Sequence, residues 1–197
     1  VQEAAMTDGP FKNLKLGKCW KRFADAVQND AASPDECSAV ASDALTRHLV
    51  NKEHVRALQE IEAHLGQRQL ELDPLGSIEA IFDRCEKTPF LDALQKELAY
   101  RTANDMALSD AVVPAVDAAI ASQISETRNR FHEECIRAQE DGEMSRDAAE
   151  KARGKVDAAF DTVDCERVRD ALIEGRQDAF ENDVGKSDGV DDGMVRL

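Results

Sequence analysis

Apolar side chains along this chain recur three and four positions apart far more often than they alternate, the spacing of one helix face rather than of a strand. Leu16, Trp20, Phe23 and Val27 form such a stripe inside a first helix read over residues 11–30, with Gly17 as its weak point. Ser33-Pro34-Asp35-Glu36 then combines a capping hydroxyl, a proline where no amide hydrogen is needed, and a carboxylate three residues past the cap. That is a helix start with a stated hydrogen-bond logic. From it a stripe of Leu45, Leu49, Val55, Leu58, Ile61 and Leu65 runs to a left-handed stop at Gly66, with Asn51 and Lys52 marking an interruption on the way.

Asp73 before Pro74 and Thr88 before Pro89 repeat the same grammar. The first opens a helix with Ile78, Ile81, Phe82 and Cys85 on one face, the second a helix carrying Leu91, Leu94 and Leu98. Val113-Pro114 reads as a break or an early-turn proline, since proline pushes its predecessor out of helical dihedrals. Beyond it Val116, Ile120, Ile124, Thr127, Phe131, Cys135 and Ala138 recur at near-heptad spacing up to Asp141-Gly142. Ser145 caps a last helix whose stripe runs through Ala149, Ala152, Val156, Phe160, Val163, Val168 and Leu172. So short a turn between two long helices predicts antiparallel packing.

These elements predict an all-α, single-domain bundle of about five to seven helices over residues 11–181, closing on an antiparallel hairpin at 114–181. Residues 1–10 read as a disordered leader, and 182–197, rich in Gly and Asp without an apolar face, as a flexible acidic tail. The chain opens on Val1 rather than Met, which leaves room for a removed leader, and Met6 is a candidate start.

Composition changes the picture in two ways. With 25 Lys plus Arg against 40 Asp plus Glu, the net charge of −15 repels nucleic-acid backbone and anionic lipid at long range, so another protein is the expected partner. No apolar run reaches the ~18 residues a membrane span needs. The 5 cysteines are widely spaced and never form a CxxC pair, which fits reduced thiols and a cytoplasmic location better than a disulfide framework.

Candidate chemistry is sparse. No phosphate-binding loop, dinucleotide fingerprint, HEXXH or ExxH pair is present, so neither a cofactor nor a catalytic residue is assigned. Glu60 with His64, and His132 with Cys135, sit one turn apart as two metal ligands on one helix would, but each supplies half a site. Asp157, Asp161 and Asp164 make an acidic row able in principle to hold Mg²⁺ against a phosphate. Lys151, Arg153, Lys155 and Arg167 are interleaved with it, which favours a solvated, charge-laced face.

One segment runs against the global charge. Lys12, Lys15, Lys18, Lys21 and Arg22 surround Phe11, Leu14, Leu16, Trp20 and Phe23, a basic amphipathic stretch on an acidic molecule. It reads either as a partner-contacting helix with Trp20 as its anchor or as a core helix whose lysines face the acidic body. The leading expectation is therefore a non-enzymatic protein-binding module such as an adaptor, regulatory subunit or inhibitor, with homo-oligomerisation through the C-terminal hairpin as a further contact mode. Two alternatives are an acidic nucleic-acid mimic that blocks a basic groove, and a helical metal-dependent enzyme built on the acidic row or the histidines.

Overall fold

The computed structural model describes residues 10–12, 14 and 17–175. The expected tail at 182–197, the last part of the expected hairpin and all of the expected leader except Pro10 lie outside the described residues. Among the described residues the chain is all-helical, with no strand. A 3₁₀ turn, Lys18–Trp20, leads into α1 (Lys21–Gln28), followed by α2 (Pro34–Leu49), α3 (Lys52–His64), α4 (Arg68–Leu72) and α5 (Pro74–Phe82). Then come α6 (Pro89–Ala103), α7 (Leu108–Glu140), α8 (Arg146–Asp161) and α9 (Cys165–Ile173).

Local chemistry starts most of these helices. Ser33 Oγ accepts from Glu36 N at 3.2 Å, Asp73 Oδ1 from Gly76 N at 3.1 Å, Thr88 Oγ1 from Leu91 N at 3.2 Å, and Ser145 Oγ from Ala148 N at 3.1 Å. Each removes one of the orphan amide donors of a helix first turn. Gly66 (φ 83°) and Gly142 (φ 73°) take the left-handed conformation that lets the chain leave α3 and α7.

The helices are more numerous than the apolar pattern predicts, and each extra boundary has a cause. The first helix is shorter than 11–30: the chain turns through Lys18–Trp20 and α1 ends at Gln28. Between α2 and α3 the expected interruption is real, because Asn51 Oδ1 caps the new helix by accepting from His54 N at 3.0 Å. The short α4 lies where no helix was read. The last helix is split at 162–164, where Ser38 Oγ of α2 donates to Thr162 O at 3.1 Å and Ser42 Oγ accepts from Asp164 N at 3.2 Å. Asp164 Oδ1 then caps α9 by accepting from Arg167 N at 3.0 Å. Two hydroxyls of α2 thus satisfy backbone groups that the break sets free.

Pro114 corrects another boundary. It neither breaks the chain nor sits in a first turn, since α7 begins at Leu108 and runs 33 residues, about 50 Å, through it. Its missing amide hydrogen removes one hydrogen bond to Asp110. The helix continues because Ala111, Ala115, Val116 and Ala119 on either side are fully buried and α6 packs on α7.

α7 is the spine of the fold: α6, α8 and α9 pack on it. Bulk comes from one aromatic cluster. Phe131 of α7 meets Phe11 at 5.4 Å, Phe23 at 5.1 Å and Trp20 at 6.3 Å between ring centroids, all edge-on. Phe160 of α8 closes the cluster at 5.2 Å from Phe23 and 5.9 Å from Trp20. Such tilted and edge-on pairs suit the aromatic quadrupole and add to the apolar area removed from water.

A buried polar lock joins three helix ends. His54, almost fully buried beside Phe90, places Nδ1 2.8 Å from Leu49 O and Nε2 2.9 Å from Thr88 Oγ1. One arrangement satisfies every group: Nδ1–H donates to Leu49 O, and the Thr88 hydroxyl donates to Nε2 while accepting from Leu91 N. That arrangement needs a neutral ring. Burial pushes the His54 pKa down from 6.5 to about 4 despite the Leu49 carbonyl, which favours the charged form.

Two outcomes follow. Trp20→Ala should cost about 3–5 kcal/mol in urea unfolding at neutral pH, as truncation of a buried aromatic does; a loss under about 1 kcal/mol would remove the cluster from its central role. For His54, the unfolded chain binds the extra proton below pH 6.5 and the folded chain only below about 4. Stability is therefore fully present above pH 6.5 and falls as pH drops to about 4, by roughly 3 kcal/mol in all. In His54→Gln, less stable at pH 7, that part of the slope should vanish from stepped-pH urea titrations.

Candidate functional site

The basic N-terminal stretch divides into buried and exposed parts. Trp20, Phe23, Ala24 and Val27 face inward and are buried, which anchors the 3₁₀ turn and α1 on α2 and the aromatic cluster. Trp20 is fully buried and therefore has no surface to offer a partner, so it is a core residue and not an interface anchor. Its indole Nε1 is buried without a hydrogen-bond partner among the described residues, a cost that the surrounding rings must outweigh.

The cations of the stretch also separate. Lys12 Nζ reaches Glu143 Oε1 at 2.8 Å, so it serves the fold. Lys15 lies outside the described residues. Lys18, Lys21 and Arg22 are exposed, with Asp25 the carboxylate nearest them along α1. Arg47 of α2 stands nearby, close enough to act on the Cys19 thiol, and is paired with Asp43 at 3.2 Å. The outcome is a cationic face on a rigid backing.

An ionic clamp that the sequence pattern does not reveal lies next to this stretch. Arg137, near the end of α7, donates Nε to Glu134 Oε2 at 2.9 Å and Nη1 to Asp141 Oδ2 at 2.7 Å. Its Nη2 donates to Pro10 O at 3.0 Å and lies 3.4 Å from Glu143 Oε2. The hydrogen bond to Glu134, followed by those to its other carboxylate neighbours, pushes the Arg137 pKa up despite partial desolvation. Hydrogen bonding to Lys12, with Arg137 adding to it, holds Glu143 below the usual carboxylate range. One guanidinium thus ties the chain entering the fold to the turn after α7, while Phe11 packs on Phe131 within α7.

The acidic row is consumed by structural tasks. Asp157 Oδ1 pairs with His132 Nε2 at 2.9 Å, Asp161 Oδ1 accepts from Arg128 Nη2 at 2.8 Å, and Asp164 caps α9. These pairs join α7 to α8, with residues earlier in one facing residues later in the other. Glu60 and His64 do not converge as ligands either. The Glu60 carboxylate lies 3.3 Å from both Arg56 and Arg84, while His64 Nδ1 meets the Glu60 carbonyl at 2.6 Å. Among the described residues no three His, Cys, Asp or Glu side chains are grouped as a metal site would require.

All five thiols are unpaired. Burial pushes the pKa of Cys19 and of Cys135 up to about 11, against the effects of Arg47 on the first and Arg153 on the second, so neither is primed as a nucleophile. Outside the basic face, Leu72 at 71% and Tyr100 at 67% are the most exposed large apolar side chains among the described residues. No periodicity argument singled these out, because each sits where a helix stripe turns to solvent. No described helix is long and apolar enough to cross a membrane. No family model, curated protein or solved structure matches the chain.

Arg137→Met, which keeps most of the aliphatic bulk and removes the charge, should lower the thermal midpoint and speed amide exchange at Leu14 by about tenfold or more, as expected when a local closure is lost. Unchanged exchange at Leu14 would show that aromatic packing alone holds the entry segment.

Proposed function

We propose that this chain is a non-enzymatic protein-binding module, residues 11–181 acting as one helical domain whose cationic face on the 3₁₀ turn and α1 engages an acidic protein surface. The supporting observation is the division of labour on that face. Trp20 and Phe23 are fully buried and fix the backbone, while Lys18, Lys21 and Arg22 project to solvent from a molecule of net charge −15. A rigid, locally cationic patch steers partners of opposite sign and costs little ordering on contact. The five unpaired thiols fit a reducing, cytoplasmic setting. The antiparallel C-terminal hairpin offers a second surface, suited to homo-oligomerisation.

An acidic-decoy reading has less support, because a mimic must present free carboxylates in a row. Here Asp117, Asp157, Asp161 and Glu143 are engaged by Arg169, Arg128 and Lys12. The metal-enzyme reading is weakened by the same pairing of its candidate ligands.

Affinity capture from the native cell, with the wild-type chain and a Lys18→Glu, Lys21→Glu, Arg22→Glu variant as parallel baits, tests the proposal. A protein partner recovered by the wild type should drop by roughly tenfold or more with the variant and weaken with added salt. Equal recovery by both baits would place the contact elsewhere.

A further inference from the structure

We infer that the acidic C-terminal stretch of this chain, residues 182–192, docks in cis on the cationic face of Lys18, Lys21 and Arg22. This rests on the same face as the binding reading and makes the stretch an internal competitor for the partner.

Charge complementarity selects the occupant. Asp183, Asp188, Asp191 and Asp192 carry the stretch's negative charge against Lys186 alone. On the body, Lys18, Lys21 and Arg22 outnumber the Asp25 of the same helix, and the neighbouring Arg47 and Asp43 of α2 balance each other as an ion pair. Such a face carries charge opposite in sign to the chain's net −15.

Chain length permits the docking. The described residues end at Gly175, which lies against Val55 and Gln59 of α3; a Cβ there would stand 3.5 Å from Val55 Cγ1. α3 follows α2 directly through Val50 and Asn51, and His48 near the end of α2 lies 6.2 Å from the Trp20 ring that ends the 3₁₀ turn. His54, next to Val55, places Nδ1 2.8 Å from Leu49 O at the end of α2, so Gly175 reaches the Trp20 turn through three successive contacts. None exceeds the 8–10 Å spacing of packed helices, which puts the cationic face within about 30 Å. The thirteen residues from Gly175 to Asp188 span about 45 Å when extended and about 20 Å as a random coil. A tether of that length holds its acidic end near the face at roughly millimolar effective concentration, enough for pairs that would be weak between separate molecules.

The test is zero-length carbodiimide cross-linking of the full-length chain at low concentration, using an equal mixture of ¹⁴N- and ¹⁵N-labelled protein, with linked peptides mapped by mass spectrometry. Links from Lys18 or Lys21 to Asp183, Asp188, Asp191 or Asp192 should form within single-isotope chains and fall about tenfold in 0.5 M salt, where screening shortens to a few ångströms. An Asp188→Asn, Asp191→Asn, Asp192→Asn variant should lose them and shift the Lys21 and Arg22 amide resonances. Links found only between differently labelled copies, no links at all, or unshifted amides in the variant would overturn cis docking. Partner capture that depends on Lys18, Lys21 and Arg22 in the absence of within-chain links would leave the binding reading standing alone. Within-chain links with capture indifferent to charge reversal would leave the docking standing alone.

Discussion

Contact among Phe11, Trp20, Phe23, Phe131 and Phe160 is what the rest of this structure depends on. The apolar content is carried largely by alanine, and alanines bury little area each, so helices must either approach closely or find bulk elsewhere. Along α7, Ala111, Ala115 and Ala119 are fully buried, small side chains that leave room for a close neighbour. The N-terminal segment and α1 supply bulk by converging on Phe131, and Phe160 of α8 joins them through Phe23 and Trp20. Once Trp20 is committed to this cluster, its backbone is fixed, and the outward side chains of α1 hold a defined position on the surface.

Polar groups finish what packing begins. The Ser38 and Ser42 hydroxyls, the Arg137 guanidinium and the His54 imidazole each act where a helix ends or a segment enters. The serines and Arg137 reach backbone groups more than a hundred residues away, and His54 joins its own helix end to Thr88, which makes geometry specific at places where apolar contact alone would allow sliding. Charged pairs on the exterior do less. Arg128 with Asp157 and Asp161 sits partly in solvent, where such pairs add little stability.

The helix starts at Ser33, Asp73, Thr88 and Ser145 were legible because a cap needs only its own next three residues. The split at 162–164 was not, since the groups that make it tolerable belong to α2, more than a hundred residues earlier. A gap of five positions between Val163 and Val168 in an otherwise regular stripe was the one local trace of it. Pro114 was misjudged for the same reason, its helix being held by α6. Trp20 shows the limit for the candidate site. The same amphipathic spacing describes a surface anchor and a core residue, and only the positions of Phe131 and Phe160 separate the two. The cationic character of α1 was visible from the start, but which lysines are occupied was not, because Glu143 and Lys12 meet only after folding.

The His54 imidazole, on the first turn of α3, joins Leu49 at the end of α2 to Thr88 at the start of α6, and this bears on motion as well as on shape. The tail of one helix and the heads of two others share a single side chain, so none can fray without exposing partners of the remaining pair. Opening there should be collective, with amides at all three ends exchanging as one unit rather than loosening turn by turn.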